Sequence, residues 1–104
     1  TVYGDPVTSD IASTMTGLMI NNVNNGAASN ARISGVDVAG KTGTAQNGPG
    51  RPYTLWFTGF APAADPQVAV AVVVENGGGI GQSGFGNTLA APIAKKVIEA
   101  VLNR

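Results

Sequence analysis

The chain of 104 residues contains no cysteine and no histidine. The first absence excludes disulfides, a thiolate nucleophile and the usual structural zinc sites. The second excludes a Ser-His-Asp triad and a histidine-based metal site within these residues. Charge is also scarce. Charged residues make up 12% of the chain, and six basic side chains balance six acidic ones. Such a balance gives no basis for a nucleic-acid groove or for attraction to an anionic membrane surface. No apolar run approaches the roughly 18 residues that a membrane span needs. No signal-peptide pattern is visible from Thr1. Hydrophobic residues nevertheless reach 43%. That argues for a packed core rather than disorder, in at most one domain over residues 1–104.

The most informative stretch that is present runs from Gly35 to Ala45. Two incompatible chemistries can be read from it. Gly35-Val36-Asp37-Val38-Ala39-Gly40-Lys41-Thr42 fits the phosphate-loop pattern G-x-x-x-x-G-K-[ST]. Lys41-Thr42-Gly43 fits the K-T-G element of penicillin-interacting serine enzymes. A phosphate loop needs a flexible turn whose Lys-Thr opens a helix, so that N-terminal amides hold the phosphate. Here Val36, Asp37, Val38 and Ala39 alternate in strand fashion. Downstream of Lys41, residues 43–52 hold Gly43, Gly48 and Gly50 with Pro49 and Pro52, which preclude a helix of useful length. The context therefore favours the K-T-G reading.

The rest of the chain supplies a helix, three strands and a second helix. Thr8 or Ser9 can cap the first helix, with Asp10 in its first turn. Ile11, Met15 and Leu18, with Met19 nearby, recur at helical spacing, and residues 21–26 end the helix. Residues 27–34 form a small-residue connection. Strands are expected over residues 36–45, 53–60 and 67–75. The third contains the apolar run Val68-Ala69-Val70-Ala71-Val72-Val73-Val74, which reads as a mid-sheet strand covered on both faces. Its alanine side offers close approach to a helix. After a glycine-rich loop over residues 76–87, Asn87 or Thr88 can cap a last helix. That helix carries Leu89, Ile93, Val97 and Val101 on one stripe, widened by Ile98 and Leu102, with Pro92 near the first turn. The loop also contains Gly79-Ile80-Gly81-Gln82-Ser83-Gly84, a match to G-x-G-x-x-G. A dinucleotide site needs a further parallel strand ending in an acid about 20 residues on, and the sequence offers none. The expected fold is α+β: an antiparallel meander of about three strands flanked by an N-terminal and a C-terminal helix.

These pieces, in this order, resemble the C-terminal part of the transpeptidase domain of penicillin-binding proteins, the class B, monofunctional type above all. The resemblance covers residues 8–104. It rests on Ile33-Ser34-Gly35-Val36-Asp37-Val38-Ala39-Gly40-Lys41-Thr42-Gly43-Thr44-Ala45, then Trp56-Phe57-Thr58-Gly59-Phe60-Ala61-Pro62, then Val70-Ala71-Val72-Val73-Val74-Glu75-Asn76 and Ala90-Ala91-Pro92. A K-T-G triplet alone is a weak signal, whereas the ordered set is strong. The resemblance implies membership of a larger fold, the penicillin-binding transpeptidase (serine β-lactamase-like) fold.

It also implies a mechanism. The family acylates a serine with a D-Ala-D-Ala peptide stem and passes the acyl group to a second stem's amine, and β-lactams mimic the stem. By this resemblance Lys41 contributes positive charge and a hydrogen bond, and Thr42 and Thr44 offer hydroxyls to the substrate carboxylate. The backbone N–H of Thr44 supplies half of an oxyanion hole. Gly43 lets substrate backbone lie close to the strand. The catalytic candidates are thus Lys41 and Thr44, and the substrate-binding candidates Thr42, Gly43 and Thr44. Strict pleating places the two threonines on one face and Lys41 on the other. Outside such a match, a strand lysine is ordinarily solvated and a strand threonine reflects β-propensity. Trp56 and Phe57 are expected in the core, and Arg32, Arg51 and Tyr53 at the surface.

One departure from the family is large. No serine here (Ser9, Ser13, Ser29, Ser34, Ser83) has lysine three residues later, so S-x-x-K is absent, as is S-x-N. The expectation is a fragment or one part of a split domain that cannot catalyse acyl transfer alone. No metal or cofactor is expected. The implied partners are the peptide stem, β-lactams and the remainder of the domain, with self-association through an exposed edge of strand 68–74 as a further route. Resemblance alone places the protein at the outer face of the bacterial cytoplasmic membrane, anchored by an upstream segment. A non-catalytic penicillin-binding sensor or scaffold and a nucleotide-binding module are the contrasting readings.

Overall fold

The computed structural model describes residues 4–103; the expectations that touch Thr1 and Arg104 fall outside the described residues. Along the chain run α1 (Ser9–Asn25), a short 3-10 helix (Ser29–Ala31), β1 (Ala39–Ala45), β2 (Thr54–Ala61), β3 (Val68–Val74), a 3-10 segment (Glu75–Gly79) and α2 (Gly86–Leu102). The strands form one antiparallel sheet in the order β1-β2-β3. This is the expected α+β arrangement.

Local chemistry explains the boundaries. The Thr8 hydroxyl accepts from the Ile11 N–H at 3.3 Å, which caps α1. At the other end the Gly26 N–H donates to Asn22 O at 3.0 Å and the helix stops. β1 begins at Ala39 rather than at Val36, because Ile33 and Val36 pair across a tight turn at Gly35, which sits at φ 79°. α2 begins at Gly86, earlier than a cap at Asn87 or Thr88. Phe85 is the N-cap and makes no side-chain hydrogen bond there. The Asn87 amide is committed elsewhere: it accepts from the Asn30 N–H at 2.8 Å and donates to Ser29 Oγ at 3.1 Å. Pro92 consequently lies in the second turn of α2, not the first.

Register sorts the sheet into two faces. Thr42 opposes Phe57, and Phe57 opposes Val72. With side chains alternating, Gly40, Thr42 and Thr44 share a face with Leu55, Phe57, Gly59 and Ala61 and with the four valines 68, 70, 72 and 74. Phe57, Leu55, Ile98, Val23 and Val38 are the largest fully buried side chains. Burial of a side chain as large as Phe57 or Leu55 stabilises by about 1.5–3 kcal/mol.

Several expectations are corrected here. The helix covers the valine side of β3, while Ala69 and Ala71 are exposed. The small residues that permit close approach lie on the helix instead. Ala90, Ala91 and Ala94, with Ile98, form the buried stripe of α2. Bulky valines and Phe57 already fill the layer, so the helix turns alanines inward and leaves Ile93 and Val97 exposed. On α1 only Val23 is buried; the stripe of Ile11, Met15 and Leu18 faces outward, with Leu18 60% exposed. Trp56 is 47% exposed on the open face of the sheet, so only Phe57 of that pair is core. β3 is an edge strand, in keeping with the exposed edge expected at residues 68–74, but its alanine face is open and not covered.

Candidate functional site

β1 is the opposite edge of the sheet, and it carries every residue of the K-T-G motif. Its base is packed very closely. A Cβ on Gly40 would stand 2.6 Å from Phe57 Cζ and 3.1 Å from Val23 Cγ2. Across the ladder, a Cβ on Gly59 would stand 2.5 Å from Ala39 O. The paired glycines at 40 and 59 let the Phe57 ring lie flat over the strands. The stretch that precedes Lys41 is therefore held by the core.

The two threonines project as pleating requires. Thr42 and Thr44 line one open cavity of about 350 Å³ together with Ala27, Phe85, Gly86, Asn87 and Thr88. Their hydroxyls are not equivalent. Thr42 Oγ1 donates to Ala27 O at 3.2 Å. Thr44 Oγ1 accepts from the Gly86 N–H at 3.3 Å. A hydroxyl has one proton to give. That of Thr42 is engaged within the chain, whereas that of Thr44 has no acceptor among the described residues. The N-terminus of α2 also faces this cavity, and its partial positive charge favours an anion. Gly86 is obligatory there, since a Cβ would stand 2.6 Å from Trp56 O.

Lys41 lies on the other side of the strand, exposed, with its Nζ donating to Thr42 O at 2.6 Å. It lines a separate apolar groove with Met15, Leu18, Met19, Asn22 and Gly40. The chain thus brings Thr42 and Thr44 together and sets Lys41 apart from them. Gly43 differs from the other strand glycines. Its nearest neighbour to a built Cβ is Trp56 Cβ at 3.5 Å, an ordinary contact. Packing within the chain does not require glycine at that position, which leaves close approach by a ligand as a reason for it.

Sequence reasoning overlooked Phe85, Gly86, Asn87 and Asn22 as neighbours of the motif. The aromatic in the glycine-rich loop, Phe85, was a usable signal, because it is 60% exposed and lines the threonine cavity. Nothing in the local pattern marks Asn22. Arg51 and Tyr53 lie at the far end of the hairpin, where the Gln82 amide donates to Arg51 O at 2.9 Å. The phosphate-loop reading fails on position, since Lys41 and Thr42 sit inside β1 and open no helix. The G-x-G-x-x-G match connects β3 to α2 in a sheet whose pairings are all antiparallel. Among the described residues no cluster of three His, Cys, Asp or Glu side chains could hold a metal ion. No helix among them is long and apolar enough to cross a membrane.

Comparison with known proteins places this geometry. The family described as the penicillin binding protein transpeptidase domain matches residues 2–99. Peptidoglycan D,D-transpeptidase PbpA of Mycolicibacterium smegmatis is 43% identical over 99 residues, covering 92% of this chain and 20% of that protein. Among solved structures, penicillin-binding protein A from M. tuberculosis, captured as a ceftriaxone acyl-enzyme complex, superposes with a TM-score of 0.82 at 44% identity. That match covers 92% of this chain and 22% of the other. The D,D-transpeptidase domain of a peptidoglycan glycosyltransferase from Eggerthella lenta matches with a TM-score of 0.78 at 32% identity, over 99% of this chain and 24% of its own. The chain therefore spans about a fifth of the length of these relatives, and on the family match and these identities it belongs to the penicillin-binding protein transpeptidase family.

Proposed function

We propose that this chain forms the K-T-G wall of a peptidoglycan D,D-transpeptidase whose nucleophilic serine lies outside these residues. The observation that carries the reading is the Thr42–Thr44 pair facing the N-terminus of α2 across one cavity, on an edge strand with room above Gly43. In the reaction a serine hydroxyl supplied by the remainder of the domain attacks the carbonyl of the penultimate D-alanine. The C–N bond breaks and the terminal D-alanine leaves. The amine of a second stem then attacks the ester and releases the serine. A β-lactam enters the first step and stays as an acyl adduct.

Each wall residue has a part in that scheme. Lys41 brings an ammonium group to the polar network that faces the serine. Its position on the side of β1 away from the threonines suits contact with an element outside this chain. Thr44 donates its free hydroxyl to the stem carboxylate, and its backbone N–H stabilises the oxyanion. Thr42 can serve the same carboxylate by releasing Ala27 O. Gly43 lets the extended stem lie along the edge.

The remainder of the domain has a second task, which is to cover apolar surface. Ile11, Met15 and Leu18 on α1, and the free edge of β3, are the faces it would take. The proposed site of action is the outer side of the bacterial cytoplasmic membrane, with anchoring by a segment upstream of these residues; the family membership supports it. Incubation of the purified sample with fluorescent penicillin tests the scheme, followed by denaturing separation and intact mass of every polypeptide. Label on a serine outside residues 1–104 is expected. Label on Ser9, Ser13, Ser29, Ser34 or Ser83 would overturn it. Label without stem crosslinking would point to a non-catalytic penicillin sensor. A clean monomer of this chain alone by light scattering at high concentration would count against an edge that needs a partner.

A further inference from the structure

One side chain ties the catalytic wall to the rest of the chain. Asn22 is half-buried in the last turn of α1, next to the buried Val23. Its Nδ2 donates to Gly40 O at 3.0 Å, and its Oδ1 accepts from the Ala27 N–H at 3.1 Å. Its own carbonyl accepts from the Gly26 and Ala28 N–H groups at 3.0 and 3.1 Å. The amide orientation follows from its partners: a flip would set donor against the Ala27 N–H and acceptor against the Gly40 carbonyl. Gly26 makes room for it, since a Cβ there would stand 2.8 Å from Asn22 Oδ1. Because Gly26 has an extended φ of −129°, space and not backbone handedness is what glycine provides.

Capping α1 needs only the bonds to residues 26–28. The bond to Gly40 crosses to β1 and grips the peptide that leads into Lys41. On the other side of Lys41, Thr42 Oγ1 bonds Ala27 O, and Ala27 is itself held by Asn22. The strand is thus fastened to one small segment immediately before and immediately after Lys41. As an edge strand, β1 has ladder bonds on one side only.

We propose that Asn22 is a positioning residue that fixes the height and twist of β1 at Lys41, and so sets the geometry of the wall during acylation. The inference rests on the transpeptidase reading. Groups that stabilise the transition state are sensitive to displacement, and a misplacement of about 1 Å can cost about a hundredfold in rate. Loosening the strand therefore lowers the acylation rate constant more than it weakens initial binding.

The test uses the assembled transpeptidase and a fluorescent penicillin, with rates followed to saturation. Asn22→Asp keeps the size and the Oδ1 acceptor but removes the donor to Gly40 O. It is expected to lower the limiting acylation rate constant about tenfold or more. The apparent dissociation constant and the final stoichiometry of label should stay unchanged. Asn22→Ala removes both bonds and is expected to lose at least as much; if it does not fold, Asn22→Asp decides alone. Val72→Ala, a core truncation outside the cavity lining that touches neither Asn22 bond, is expected to lower the thermal midpoint without slowing acylation of the folded fraction. An Asn22→Asp enzyme that acylates at the unmutated rate, or that merely labels to a lower stoichiometry at that rate, overturns the proposal. An unmutated enzyme that takes no label removes the transpeptidase reading, and this inference with it.

Discussion

Thr42 and Thr44 look interchangeable in the sequence, yet their hydrogen bonds predict unequal losses on removal of each hydroxyl. Thr44 Oγ1 accepts from the Gly86 N–H and keeps its proton for a ligand. Thr44→Val deletes a donor to a carboxylate, and a hydrogen bond to a charged group contributes about 1.5–3 kcal/mol once water is excluded. That range corresponds to a loss of about 10- to 150-fold in the second-order acylation constant. It also leaves the Gly86 N–H without its acceptor. Thr42 Oγ1 already donates to the exposed Ala27 carbonyl. A carboxylate gains from it only after that bond is exchanged, so the net contribution is that of a neutral bond, about 0.5–1.5 kcal/mol. Thr42→Val is then expected to cost about two- to twelvefold, and less than Thr44→Val. Valine matches threonine in shape, which keeps packing constant. The assay is stopped-flow or gel-based acylation of the assembled enzyme by a fluorescent penicillin, with the peptide stem as a second substrate. An equal loss for both variants, or a larger one for Thr42→Val, would refute the assignment of the free proton to Thr44.

Other outcomes follow from the same geometry. Gly59→Ala forces a Cβ to 2.5 Å from Ala39 O, which is backbone and cannot step aside, so a loss of about 1–3 kcal/mol is expected as a lowered thermal midpoint. Gly43→Ala meets nothing closer than 3.5 Å, so its midpoint should hold while its acylation constant falls; a normal acylation constant would remove the close-approach role of Gly43. Leu18→Glu places a charge on the exposed stripe of α1. If the remainder of the domain covers that stripe, at least the roughly 1.5–3 kcal/mol of one buried leucine is lost. Weaker association of the parts, or a lower midpoint of the assembled enzyme, would register it, and an unchanged assembly would leave the stripe in solvent.

Much of the architecture was legible before any coordinates. Runs of strand formers gave strands 2 and 3 to within a residue at each end, and Thr8 with Gly26 bracketed α1. Local signals carry that information, since capping and alternation depend on neighbours in the chain. Helix phase was not legible in the same way. In α2 both Leu89-Ile93-Val97 and Ala90-Ala94-Ile98 keep helical spacing, and hydrophobicity alone favours the first. The sheet decided for the second, because its valines and Phe57 leave room only for small side chains. The cap of α2 was misplaced for a similar reason: Asn87 spends its amide on Asn30 and Ser29, 57 and 58 residues away.

By itself the sequence determined the elements, their order and the family, and it singled out Lys41, Thr42, Gly43 and Thr44 as the candidate wall residues. It excluded histidine and cysteine chemistry from these 104 residues by composition. It also put the two threonines on one face through pleating alone. Only the tertiary structure decided which hydroxyl keeps a free proton, that Gly86 and Phe85 line the threonine cavity, and that Asn22 grips the strand ahead of Lys41. The hydrogen bonds behind those relations join residues 15 to 42 positions apart. Periodicity and capping act over a few residues, whereas contacts at that distance exist only once the core has set the helices against the sheet.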